Sequence, residues 1–240
     1  MKLSLRVILS VLAVGFFLVS CKKKQEDIPS PPVKQRSYLK VIQTATGYVN
    51  LDILYDTYTA DTKMITDLGN HEAWPEIKYA DLDEAGKVDE FNIGALYFTA
   101  REFQTYDTVM LPTQVELVAR NYQTLFLVDS LWYLKPVFVT DVFERIAGQA
   151  SIRFANLNVF VDGATLNVLT TSSSIGSARS FKQLTDFQNL NLGTYDFEIK
   201  DNSGNVLVNM PGIPLDNKGV YTIYLHHDWG APAAKIVREQ

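Results

Sequence analysis

One stretch of this chain occurs twice, and nothing else in the sequence constrains the fold as much. Residues 191–225 run Asn191-Leu192-Gly193, then Phe197, Val208, Pro211 and Tyr221. Counting back 99 positions without a gap gives Asn92-Ile93-Gly94, then Phe98, Val109, Pro112 and Tyr122. Self-similarity held at a fixed offset marks a repeated structural unit. Nearer the start of each copy the offset is 113, pairing Leu39 with Ile152. The first copy therefore carries extra residues in its middle. The expected organisation is one domain over 37–142, with an insertion near 57–90, and a second over 148–240, joined through 143–148.

The unit reads as β-structure. Tyr195, Phe197 and Ile199 alternate with Thr194, Asp196, Glu198 and Lys200, and Tyr221, Ile223 and Leu225 alternate with Thr222, Tyr224 and His226. A period of two sends alternate side chains to opposite faces of a strand, here one apolar and one wet. Further strand candidates are 38–43, 48–55, 96–101, 108–111, 114–119, 122–128, 131–140, 151–156 and 159–161, with 235–238 as a last edge. Residues 172–177 read as a loop. Asp162-Gly163 and Asp201–Gly204 are turn signals. Gly94 and Gly193 each precede a strand, where a turn with positive φ is expected. No segment of the mature chain keeps a helical period over three turns. The expected fold is all-β: two tandem immunoglobulin-like antiparallel sandwiches.

What precedes residue 37 reads as delivery and tether. Lys2 and Arg6 precede an apolar run, Val7–Val19, of 13 residues. A membrane-spanning helix needs ~20, so the run suits a cleaved signal peptide over 1–20. Leu18-Val19-Ser20-Cys21 resembles the bacterial lipoprotein box, in which the cysteine is acylated and becomes the new N-terminus. Cys21 is the single cysteine, so no intrachain disulfide can form. Lipid chains contribute ~0.8 kcal/mol per buried methylene, so two or three anchor firmly. Lys22-Lys23-Lys24-Gln25-Glu26-Asp27 and the prolines at 29, 31 and 32 make 21–36 a flexible tether. By likeness to known lipoprotein sorting, the lack of Asp at position 22 points to the outer membrane, on its periplasmic or cell-surface face. Without Lys2 and Arg6, the 22 basic residues fall to 20 against 27 acidic ones, which argues against a nucleic-acid partner.

Ile152–Asn156, Val159–Gly163, Gly193-Thr194-Tyr195 and Gly219–Ile223 resemble domain-of-unknown-function family 4397. That family's domains occur, often in tandem, in bacterial secreted proteins and lipoproteins. The resemblance covers 148–240 directly and 37–141 through the internal repeat. It implies an immunoglobulin-like sandwich and brings no catalytic motif.

The chain offers no catalytic set, metal centre or cofactor motif. His226-His227-Asp228 sits on a strand, where adjacent imidazoles point to opposite faces. His71-Glu72 has no companion at ligand spacing. Asp81, Asp83, Gly86 and Asp89 approach a calcium loop, but Ala85 and Asn92 break the pattern. There is no nucleophile elbow and no phosphate-cradling glycine loop. Aromatic residues are the better lead. Trp74, Trp132 and Trp229 lie in or beside predicted loops, where indoles serve as binding anchors. The leading expectation is a non-enzymatic, lipid-anchored envelope module that binds a partner or has a structural role. The alternative is a glycan-binding surface lipoprotein using those aromatics, and an envelope hydrolase stands third.

Overall fold

In the computed structural model, the residues described are 38–45, 51–56, 62–65, 80–81, 95–102, 108–116, 118, 121–129, 134–228 and 231–238. They are almost entirely strand. The first half holds β1 (Tyr38–Gln43), β2 (Leu51–Asp56), β3 (Thr62–Ile65), β4 (Ala80–Asp81), β5 (Ala95–Glu102), β6 (Thr108–Glu116), β7 (Tyr122–Asp129) and β8 (Leu134–Asp141). The second holds β9 (Gln149–Asn156), β10 (Ala164–Val168), β11 (Ser173–Arg179), β12 (Gln183–Leu184), β13 (Gln188–Asn191), β14 (Gly193–Lys200), β15 (Val206–Leu215), β16 (Val220–Asp228) and β17 (Ala231–Arg238). A 3-10 turn at Leu169–Thr171 is the helical element among the described residues.

The strands form four sheets. Their orders are β4-β1-β7-β8 and β3-β2-β5-β6 in the first half, and β12-β9-β16-β17 and β11-β10-β14-β15 in the second, where β13 also pairs with β9. The orders correspond strand for strand. In each half the opening strand lies parallel to a late one, β1 to β7 and β9 to β16, while the remaining pairs are antiparallel. A parallel pair needs a long connection between its strands. Here that connection carries the other sheet of the same half, together with β4 in the first half and β12 and β13 in the second.

Backbone landmarks set the true register of the correspondence. Thr44 N–H donates to Leu127 O, and Leu157 N–H donates to Leu225 O. Thr44 to Leu157 is 113 positions, but Leu127 to Leu225 is 98, not the 99 read from the sequence. One residue matters, because a slip of one moves every side chain to the other face. Tyr122 and Tyr221 are therefore not equivalent. The Tyr221 ring belongs to the apolar interior of the second half. The Tyr122 ring lies 5.4 Å from that of Phe143, in the joint between the halves.

The second sandwich is closed by Ala150, Ile152 and Phe154 of β9 and Tyr221, Ile223 and Leu225 of β16 on one side. Leu166, Val168, Tyr195, Phe197 and Ile199 of β10 and β14 face them. Strand β14 follows the predicted alternation, with Tyr195, Phe197 and Ile199 buried and Thr194 and Asp196 exposed. Strand β16 departs from it, being buried from Val220 to His226. Its second face is covered by the first half. Ile42, Phe126 and Val128 pack there with Ala155, Leu157, Tyr224 and Val237. The expected wet face is a seam between halves, and Gln35–Gln240 forms one compact unit.

Local expectations also needed correction. Gly193 does not take a left-handed φ; Gly148, Gly163, Gly176, Gly204 and Gly212 do. Gly193 is a strand residue paired with Leu215, and a Cβ there would meet the Tyr195 ring at 3.4 Å. Gly94 lies outside the described residues. The turn signals at Gly163 and Gly204 hold, with φ of 78° and 82°. Of residues 172–177, read as loop, all but Ser172 belong to edge strand β11 (Ser173–Arg179), whose Ile175 reaches the sandwich interior. Residues 159–161, read as strand, form a turn instead. The two strands expected at 108–111 and 114–119 are one, β6. Pro112 is accommodated because β6 is an edge strand.

Candidate functional site

Cys21, Trp74, Trp132 and Trp229 lie outside the described residues, as does His71. Their neighbourhoods are described in part, and one has a built geometry. It is the end of the second half where β9 runs out and β16 reaches Asp228, the residue before Trp229 in sequence.

The loop leaving β9 is held by two buried asparagines. Asn156 Nδ2 donates to Val161 O at 2.8 Å and to Arg179 O at 2.9 Å, and its Oδ1 accepts from Asn158 N–H at 3.1 Å. Asn158 Nδ2 donates to His226 O at 3.0 Å, and its Oδ1 accepts from Phe160 N–H at 2.9 Å. Buried amides must be satisfied, and here their hydrogen bonds set the path of residues 158–161. Val161 turns in to the sandwich core. Phe160 turns out and stays 62% exposed, with its ring edge-on to His227 at 5.1 Å between centroids. The next turn closes on the side chain of Asn202, which lies where a Cβ on Gly163 would sit. The β14–β15 turn therefore belongs to the same end. Asp201 there accepts from Ser203 and Asn205, and these bonds, that from the Asn205 side chain first, hold its carboxyl below the usual range.

The two imidazoles separate as alternation requires. His226 is buried, 5.6 Å from the Tyr224 ring. Burial lowers its pKa, and the His227 carbonyl and Asp228 oppose this only in part. His227 is half-buried, and its Nδ1 is shielded without a hydrogen-bond partner among the described residues. No cluster of three or more metal-ligating side chains occurs among the described residues. The end can stack on a ring or an apolar face and can hydrogen-bond through amides and an imidazole.

A second gathering of polar groups lies inside the seam. Arg153 Nη1 meets Asp141 Oδ1 at 2.5 Å, and its Nε donates to Thr222 Oγ1 at 2.8 Å. Thr124 Oγ1 donates to the other Asp141 oxygen at 2.6 Å. The guanidinium lies 4.5 Å from the Phe187 ring centroid. Lys40, also buried, donates to Arg238 O at 3.1 Å. These groups tie the first half to the second and are closed to solvent, so their role is structural.

Sequence reasoning missed Phe160 and the seam. Phe160 sits between two valines and looks like strand. The available signal was the pair Asn156 and Asn158 just before it, a polar pattern that favours a held turn over a ladder.

No family model and no curated protein matches the chain. Solved structures resemble it weakly. The C-terminal domain of AlgF from P. aeruginosa is 16% identical with a TM-score of 0.32, covering 38% of this chain and 98% of that one. A family-26 carbohydrate-binding module from Eubacterium rectale, solved with maltoheptaose, is 7% identical with a TM-score of 0.25, covering 82% and 95%. A candidate cell adhesion protein from Bacteroides uniformis is 10% identical with a TM-score of 0.22, covering 88% and 100%. Likenesses this slight say nothing of what this chain binds.

Proposed function

We propose that this chain is a lipid-anchored, non-enzymatic envelope protein that binds a partner through the end of its second sandwich, around Phe160 and His227. The single observation behind this reading is Phe160. A large aromatic left in water usually packs wherever it can. Here two buried asparagines hold the loop that presents it. Such fixed, exposed rings serve as binding anchors, since they are rigid and lose little entropy on contact. The anchor itself is an inference from the signal-like run, Cys21 and the tether. Two copies of a family-4397-like sandwich remain our reading of the halves. No described helix is long and apolar enough to cross a membrane, and an acylated Cys21 would supply the attachment instead.

The same ring favours glycan recognition as the finer reading, because an exposed aromatic face matches the C–H face of a sugar. The test uses the full-length chain in detergent micelles against a glycan panel and isolated envelope fractions. Phe160→Ala is expected to weaken binding at least tenfold while the melting transition stays in place. Unchanged binding overturns the site. For the anchor, Cys21→Ala should move the protein from the membrane fraction to the soluble one, and retention in the membrane would refute acylation there.

A further inference from the structure

The Phe160 end is not the property of the second half alone. Along the seam Thr124 sits against Arg153, while Phe126 and Val128 share a cluster with Ala155, Leu157 and Tyr224. Strands β7, β9 and β16 thus run in the same sense and finish at the same end. There Phe181 of the second half and Val137 of β8 pack on one cluster. Lys135 precedes Val137 by two and shares its side of the strand. Lys182 follows Phe181, its N–H donating to Asn156 O at 2.7 Å and its ammonium lying 5.3 Å from the Phe181 ring centroid.

This brings Lys135 of the first half and Lys182 of the second to the same end of the seam. Partial burial, and secondarily the Lys135 charge, pushes the Lys182 pKa down. No carboxylate pairs with either lysine among the described residues. Two like charges with no counter-charge repel, and an anion between them relieves that repulsion. Lys182 flanks β9 on its β12 side and His227 lies on the β16 side, so Lys182 stands about two strand spacings, ~10 Å, from the aromatic. Asp162 and Asp228 adjoin Phe160 and His227 in sequence, so an incoming anion is favoured at the lysines and not beside those carboxylates.

We propose that this end binds an acidic polysaccharide, with a uronate-type carboxylate between Lys135 and Lys182 and a neighbouring sugar ring on Phe160. This rests on the binding reading above and adds the ligand class and the part played by the first half. The chain's net charge of −5 repels a polyanion overall, so attraction has to come from these lysines.

The test is titration of the full-length chain in detergent with polygalacturonate and with its fully methyl-esterified, uncharged form. The acidic polymer should bind at least tenfold more tightly, and binding should weaken as salt is raised. The double variant Lys135→Gln/Lys182→Gln should lose that preference with an unchanged melting transition. Lys182→Glu should abolish binding to the acidic polymer. Equal binding of both polymers, lost in Phe160→Ala but indifferent to the lysines, would overturn the acidic class and leave the Phe160 site standing. Binding of neither polymer, with a protein captured through Phe160 from envelope fractions, would overturn the polysaccharide. Indifference to Phe160 in every assay would remove the site itself.

Discussion

The interior of the second sandwich and the seam between the halves are equally closed to solvent, yet one is hydrocarbon and the other holds charge. Phe154, Leu166, Phe197, Ile199 and Ile223 fill the first. The second mixes Ile42, Phe126 and Leu157 with Arg153, Asp141, Thr124 and Thr222. The difference teaches how each surface came to be covered. A sandwich interior closes as strands from one continuous segment fold over one another, so hydrocarbon suffices. The seam joins two faces, each of which would be water-exposed in a half standing alone. Arg153, Asp141, Thr124 and Thr222 are tolerable there because each finds a partner across or along it, and burying such groups unpaired costs several kcal/mol.

The comparison breaks first under single substitutions. Phe197→Ala should cost about 3–5 kcal/mol in urea unfolding, the loss for a fully buried aromatic. Asp141→Ala should cost a similar ~3–5 kcal/mol, by leaving Arg153 charged and buried. The two regions then part company in the double variant Asp141→Leu/Arg153→Met. Replacing a buried pair with hydrocarbon of similar volume is often neutral or stabilising, so stability should return close to that of the parent. A double variant as weak as Asp141→Ala would mean the seam geometry depends on the ion pair itself.

Two glycines sharpen the contrast between filled and open space within one sandwich. A Cβ on Gly219 would lie 2.5 Å from the Tyr221 ring, whose hydroxyl accepts from Asp216 N–H. Gly219→Ala should therefore destabilise by about 1–3 kcal/mol, as overpacking does. At Gly193 the nearest ring atom is at an ordinary contact distance, so Gly193→Ala should change stability by no more than about 0.5 kcal/mol. Equal costs at both positions would contradict the packing described for the two tyrosines.

The smallest effect is one of pH and belongs to the seam side of β16. The folded-state pKa of His226 is lowered below its ordinary 6.5. The unfolded chain then binds the proton more readily, so stability should rise with pH up to about 6.5 and be lost as pH falls below it. Melting temperatures between pH 7.5 and 5.5 should show this decline, and His226→Gln should flatten it. An identical slope in the variant would place the titration elsewhere.

Much of the local structure was legible. The alternation in β14 marks its buried face, because period two is a property of the strand itself. Asp162-Gly163 and Gly204 mark turns, because a left-handed φ favours glycine strongly enough to be seen in isolation. The candidate site was less legible. Trp74, Trp132 and Trp229 drew attention as the largest aromatics, whereas the exposed, held ring among the described residues is Phe160. Nothing in the run Val159-Phe160-Val161 tells which member turns outward. That depends on amides donating to Arg179 and His226, residues distant in sequence.

By itself the sequence determined that the chain makes strands, which residues share a face, where two turns fall and that a β-rich pattern recurs. Tertiary structure decided what each face meets. The polar side of β16 is buried because another sheet lies on it. Thr124 stands by Arg153 because the halves dock in the same sense. The strands β7 and β16 correspond at 98 positions, not 99, because hydrogen bonds to β1 and β9 set their register. A period of two distinguishes the faces of a strand but holds no information about the neighbour beyond them, which only long-range packing supplies.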